Sequence, residues 1–255
     1  MADATREPKA RSGSVQSIER AFSLLELMAD AGGTLPLSQL ANQSGLPLPT
    51  IHRLLRTLVD LGYIRQESSR QYVLGPRLIR LGDASSRMLS VWARPHLGRL
   101  VDELGESANL AMLDGDEIVY VAQAQSRHSM RMFTEVGRRV EPHCTAVGKA
   151  IMATMPTDEV REILKRCGMP RHTDSTITDA DEFVAALAFS AEHGYAIDEG
   201  EQETGVRCVA VAIPETASRL ALSVSGPAGR VTDELIKRAV PLLTNAGKAL
   251  SAELS

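Results

Sequence analysis

Between residues 17 and 29, apolar side chains recur at Ile18, Ala21, Phe22, Leu25 and Met28, a spacing that gathers them on one face of a helix. Gly32 and Gly33 end it. A shorter stretch places Leu37, Leu40, Ala41 and Ser44 on one face before Gly45, Leu46 and Pro47 make a tight turn. A third helix, starting near Pro49 or Thr50, carries Ile51, Leu54, Leu55, Leu58 and Leu61 on its apolar stripe and His52, Arg53, Arg56 and Asp60 opposite. After Gly62 the period drops to two: YIRQES and RQYVLG alternate around a polar turn at Ser68 and Ser69, the pattern of a two-stranded hairpin. Pro76 to Leu89 returns to helical spacing with a thin stripe of Leu78, Leu81, Ser85, Met88 and Leu89. Such a stripe suits a helix-helix contact or a helix lying on its own domain.

From residue 91 onward the two periods mix. The pattern predicts a helix to Leu104, strands at ANLAMLD and EIVYVAQA around a turn at Gly115, helices near 158–166 and 179–193, further strands, and a final helix from about Thr232 to Glu253. This is an α+β arrangement with a central antiparallel sheet. In RCVAVAI, Val209, Val211 and Ile213 face one way and Cys208, Ala210 and Ala212 the other; in LALSVS, Leu220, Leu222 and Val224 oppose Ala221, Ser223 and Ser225. As neighbours, these strands would fill a core with their bulky faces and leave a hollow lined by hydroxyls and a thiol on the other. Met130 and Met132, one face of MRMF read as a strand, are candidates for its apolar wall or for core.

Composition adds limits. A chain of 255 residues, 44% apolar and 24% charged, makes one large domain or two smaller ones. The polar start MADATREPKARSGS and the absence of a long apolar run lead us to expect a soluble, cytoplasmic protein. Cys144, Cys167 and Cys208 are too scattered for a disulfide framework or a structural zinc site, so free thiols are expected. Net charge changes the picture more. From residue 50 to 80, six arginines against Asp60 and Glu67 give +4, leaving −8 on the rest of a chain whose total is −4. A basic module on an acidic body suits DNA binding, although the charge alone fits six solvated arginines equally well. Two short helices joined by a glycine turn, the second with arginines near its start, form a helix-turn-helix suited to a DNA major groove. The hairpin would be a wing whose Arg65 and Arg70 lie near phosphates. The alternative is a winged helix used for protein contacts, without specific DNA binding.

One segment, PHCTAVGKA at 142–150, ends like a phosphate loop. It is not one, because His143 stands where the first glycine is needed and Ala150 where a magnesium-holding hydroxyl is needed. Thr145 can instead cap a helix whose first amides, those of Ala146, Val147 and Gly148, offer donors to a carboxylate. His143 and Cys144, adjacent on what reads as extended chain, point to opposite faces, so no metal site is expected. SVSGP lacks the leading glycine of a nucleophile elbow, and no histidine and acid at recognisable spacing support Ser223, Ser225 or Cys208 as a nucleophile. No enzyme activity and no cofactor are expected.

LANQSGLPLPTIHRLLRTLVDLGYI with YVLGPRLIRLG resembles the N-terminal winged helix of the IclR family of bacterial transcriptional regulators. PHCTAVGKA, GYAIDEGEQETGVRCVAVAIP and SVSGP resemble that family's effector-domain motifs in the same order, so the resemblance covers about residues 14 to 252. It implies a winged helix-turn-helix DNA-binding domain (14–75), a connecting helix (76–90) with a dimerisation role, and an α+β effector-binding domain (91–255) similar to GAF domains. The expected DNA contacts are Ser38, Pro49, Thr50, His52, Arg53, Arg56, Arg65 and Arg70. The family's ligand positions fall on Ala146, Val147, Asp198, Cys208, Ser223 and Ser225, to which Gly148 and Met132 are added. Where many members have glycine, this chain has Ala146, which narrows the loop. The implied partners are a pseudo-palindromic double-stranded operator, a small carboxylate such as glyoxylate or another 2-oxo acid, or else an aromatic or sugar acid, and further copies of the chain as a dimer or tetramer.

Overall fold

The computed structural model describes residues 15–254. The polar N-terminal stretch, and with it the outer bounds drawn at Ser14 and Ser255, lies outside the described residues. Two compact units divide between Ala84 and Ser85, inside the connector rather than at either of its ends.

The first unit comprises α1 (Gln16–Asp30), β1 (Thr34–Pro36), α2 (Leu37–Ser44), α3 (Leu48–Asp60), β2 (Ile64–Gln66), β3 (Gln71–Leu74) and the start of α4 (Arg77–Leu104). Its core joins Leu24, Met28, Leu40, Ile51, Leu55 and Ile64, all essentially sealed from water. Each such side chain contributes about 1.5–3 kcal/mol by leaving water. The α1 stripe read from sequence is rotated: the buried face centres on Leu24, Leu25 and Met28, while Ile18 and Phe22 sit past its edge, 56% and 61% exposed. Gly45 closes α2 in the left-handed region at φ 62°, its N–H donating to the Ala41 carbonyl, a conformation that glycine adopts without a Cβ penalty. The hairpin is present, but it is part of a three-stranded sheet ordered β1-β3-β2. Strand β1, which periodicity did not reveal, is three residues long and ends in Pro36. A proline cannot donate to a ladder, which fits its edge position.

The helix expected at 76–90 and the separate one expected from residue 91 are a single helix, α4, of 28 residues with Pro95 inside it. Leu78 packs on the core of the first unit, and Ala93, Leu97, Leu100, Val101 and Leu104 on that of the second.

The second unit is built on six antiparallel strands: β4 (Ser107–Asp114), β5 (Glu117–Ala124), β6 (Arg139–Val140), β7 (Ala196–Asp198), β8 (Val206–Ala212) and β9 (Leu220–Pro227), ordered β6-β5-β4-β9-β8-β7. Strands β8 and β9 are neighbours, so their alternating faces act together. Val209, Val211, Ile213, Leu220, Leu222 and Val224 form the bulky face, packed with α4 and with α8 (Asp233–Leu254). Ala210 and Ala221 on the other face admit the short helix α5 (Ala146–Met152) close to the sheet. Beyond α5, α6 (Thr157–Cys167) and α7 (Ala180–His193) bury Phe183, Ile163 and Leu164 in a further layer. MRMF is not a strand, and Met130 is 70% exposed, so its place in an apolar wall is withdrawn.

Candidate functional site

In the first unit, α3 turns Ile51, Leu54, Leu55 and Leu58 inward, which forces His52, Arg53 and Arg56 outward. Ser38 on α2, Pro49 in the first turn of α3, and Arg65 and Arg70 on the hairpin are exposed as well, and Thr50 is half-buried. None of His52, Arg53, Arg56, Arg65 and Arg70 has an ion-pair or side-chain hydrogen-bond partner among the described residues, so their donors are available to an outside acceptor. Arg70 stands at φ 64° at the hairpin turn. Arg77, counted above in the basic stretch, is committed elsewhere: it donates to the Leu61 carbonyl at 2.8 Å and lies over the Tyr63 ring. The surface is cationic at the start of α3 and along the hairpin, with no acid in the first turn of α3. That matches what a polyanion requires.

In the second unit the small faces of β8 and β9 border a cavity of about 40 Å³. Cross-strand register assembles its floor. Asp198 on β7 stands opposite Cys208 on β8, which stands opposite Ser225 on β9; one pleat over, Ser223 stands opposite Asn109 on β4. The Asn109 amide lies 3.0 Å from the Ser225 hydroxyl, 3.4 Å from that of Ser223 and 2.9 Å from the Gln123 amide. Asn109, Ser223 and Ser225 are nearly sealed by the fold and Gln123 is half-buried, so these hydrogen bonds form where water competes little.

The segment 142–150 supplies the roof. Pro142–Cys144 form one turn of 3-10 helix, not the extended chain that was expected to aim His143 and Cys144 at opposite faces, so that ground for excluding a metal site fails. Thr145 is the N-cap of α5, and its hydroxyl accepts from the Gly148 N–H at 3.1 Å. Gly148 therefore has no free donor and does not border the cavity. A Cβ there would run into the Pro142 carbonyl oxygen, so close packing accounts for the glycine. Ala146 and Val147 do line the cavity, and their N–H groups find no acceptor among the described residues. Lys149 is buried, with its ammonium 2.5 Å from Glu201, which leaves nothing of the phosphate-loop likeness.

Asp198 is 2% exposed, and its Oδ1 accepts from the Glu201 N–H at 2.7 Å. Burial pushes its carboxyl up to about 6, with the Glu201 charge adding to the rise against the pull of that hydrogen bond. It does not pair with Arg207, whose guanidinium is held by Glu199 and Asp233. Burial likewise raises the Cys208 thiol and the Tyr120 phenol, so both stay protonated and uncharged. Met132 borders the cavity, and its carbonyl accepts from Ser107.

Among the lining residues that the sequence reading missed, Asn109, Tyr120 and Arg138 bear most on the chemistry. Asn109 and Tyr120 sit on β4 and β5, whose contribution depends on strand order. Arg138 borders the cavity without an ion-pair partner among the described residues, whereas its neighbour Arg139 is held by Asp114 and Glu117. The only hint of Arg138 was the doubled arginine after Gly137.

Comparison with known proteins joins the two halves. The model of the IclR helix-turn-helix domain matches residues 17–68, and that of the bacterial transcriptional regulator IclR C-terminal matches residues 84–252. The chain is 33% identical to the transcriptional repressor IclR of Escherichia coli (strain K12), over 94% of this chain and 90% of that protein. It is 34% identical to the HTH-type transcriptional regulator BhcR of Paracoccus denitrificans (strain Pd 1222), over 94% and 88%. The crystal structure of Thermotoga maritima IclR superposes with a TM-score of 0.64 at 28% identity, covering 94% of this chain and 98% of that one. These relatives are regulators rather than enzymes, and no helix among the described residues is long and apolar enough to cross a membrane. A helix-turn-helix unit followed by an α+β effector-binding unit, each matched in its own right and in this order, makes the chain a DNA-binding transcriptional regulator of the IclR family.

Proposed function

We propose that this regulator senses a small carboxylate, a 2-oxo acid of the size of glyoxylate or pyruvate, in the cavity between α5 and the sheet. The observation that carries the reading is the combination of size and chemistry. A cavity of about 40 Å³ suits the smallest oxo acids better than an aromatic ring or a sugar acid. Donors converge on it. The Ala146 and Val147 amides and Arg138 are placed to take a carboxylate, and the Ser223 and Ser225 hydroxyls, with Asn109 behind them, to take an oxo group. Asp198 and Cys208 complete the polar side, and Met132 an apolar one. On the DNA side, Ser38, Pro49, Thr50, His52, Arg53 and Arg56 would meet a major groove, with Arg65 and Arg70 on phosphates. A pseudo-palindromic operator and a symmetric dimer, or a pair of dimers, follow from that mode of reading.

Calorimetric titration of the purified protein with glyoxylate, pyruvate, benzoate and glucarate tests the cavity. The result expected is that one of the two oxo acids binds, is weakened by Ser223→Ala and Ser225→Ala, and changes retention of upstream DNA in a gel shift at near-physiological salt. Binding of benzoate or glucarate alone would refute the size argument. DNA affinity that does not fall steeply with added salt would favour the protein-contact reading of the winged helix instead.

A further inference from the structure

Beside the effector cavity the fold brings together three side chains that the proposed function does not use. Glu141 precedes the 3-10 turn, Cys144 ends it, and His172 arrives from the loop after α6. A carboxylate oxygen of Glu141, the Cys144 sulfur and an imidazole nitrogen of His172 all lie within 4.8 Å of one another, with Glu141 and His172 in contact at 3.2 Å. The sulfur faces the protein interior, Cys144 being fully buried, while the other two ligands are about 30% exposed, which leaves an entry path from water. His172 is held in place. Its N–H and that of Thr173 donate to the Thr176 hydroxyl, and the Thr173 and Thr176 hydroxyls donate to the Gly200 and Glu201 carbonyls. A second imidazole lies alongside: His143, fully buried, has its ring centroid 6.3 Å from that of His172 and no partner for Nδ1 among the described residues.

We infer that Glu141, Cys144 and His172 form a binding site for a zinc-class divalent cation. A tetrahedral ion with metal–sulfur and metal–nitrogen bonds of about 2.3 and 2.0 Å holds its ligand atoms roughly 3.3–3.6 Å apart, so the triangle closes around the ion with side-chain movements on the order of 1 Å. The donor set decides the class of metal. One thiolate and one imidazole disfavour magnesium and calcium, which prefer all-oxygen shells, and favour zinc and its neighbours. On binding, the metal–sulfur bond forms as the S–H bond breaks, with the proton passing to water. Three protein ligands leave a fourth position for water, and the Gln202 amide oxygen lies 2.7 Å from the Cys144 sulfur. Gln202 also lines the effector cavity, so the two sites share a residue.

The test is titration of the reduced, metal-free, full-length protein with cobalt(II) and then zinc, followed by absorbance and by competition with a chromophoric chelator. Expected are one cobalt(II) per chain with a thiolate-to-cobalt charge-transfer band in the near ultraviolet, and its loss on adding zinc. Cys144→Ser abolishes the band, and His172→Ala, at a position open to solvent, weakens binding by about tenfold or more while circular dichroism stays that of the folded protein. Cys167→Ser and Cys208→Ser keep both band and affinity. Absence of the band in the wild type, its persistence in Cys144→Ser, or wild-type affinity in folded His172→Ala would overturn the site.

Discussion

Asp198 gives the effector cavity a pH dependence that can be worked out beforehand. Its carboxyl titrates at about 6, so it is about nine-tenths neutral at pH 5 and about one-tenth neutral at pH 7. An anionic guest in the same cavity meets either a neutral carboxyl that can donate a hydrogen bond or a carboxylate that repels it. At 4–5 Å and an effective dielectric constant of about 20, that repulsion is roughly 3–4 kcal/mol before screening. Binding is then largely confined to the neutral form, and the apparent affinity falls about tenfold between pH 5 and pH 7. Asp198→Asn keeps the acceptor for the Glu201 N–H and cannot ionise, so the same titration should become nearly flat. Calorimetry with the oxo acid at four or five pH values reads this directly. An affinity that does not change with pH in the wild type, or a slope that survives in Asp198→Asn, would refute the reasoning. The sign of the stability effect follows from the same shift. The folded carboxyl keeps its proton up to about 6 while the unfolded one loses it near 3.8, so the contribution is full below 3.8 and is lost as pH rises through 6. Its size is on the order of 3 kcal/mol, readable in urea melts of the wild type against Asp198→Asn.

Lys149→Met, which strands Glu201 without its partner in the interior, should cost about 3–5 kcal/mol in urea denaturation, while Lys149→Met with Glu201→Leu should recover most of that loss. Equal losses in the single and double variants would mean that the pair's charge is not what matters. Gly148→Ala drives a methyl into the Pro142 oxygen and should lower stability by about 1–3 kcal/mol or more, seen as a drop in Tm; an unchanged Tm would contradict the close packing. In gel shifts, Arg53→Ala should weaken operator binding by tenfold or more and relax sequence preference, whereas Arg65→Ala should weaken all sequences alike and lower the salt slope by about one. An unaltered salt slope in Arg65→Ala would take the hairpin off the phosphates.

The amino-acid sequence by itself determined what is local. Helix faces at Leu40 and Leu55, the hairpin, the α+β order and the split between bulky and small faces of β8 and β9 all follow from side-chain period, which reports burial one element at a time. The ordered motifs determined the family, and pointed to Ala146, Val147, Asp198, Cys208, Ser223 and Ser225 among the residues that line the cavity. Only tertiary structure decided which strands are neighbours, and therefore that Asn109, Tyr120 and Arg138, far apart along the chain, meet Ser223 and Ser225. It also reassigned Gly148, whose N–H answers to a cap three residues back, and withdrew Met130, exposed because its segment is not a strand. Cys144 shows the same limit: read with its neighbour His143 it offered no site, and only the return of the chain at residue 172 gives the sulfur its companions. Periodicity records which face of an element is dry. What lies across that face is fixed by contacts between residues distant in the chain, which no local pattern encodes.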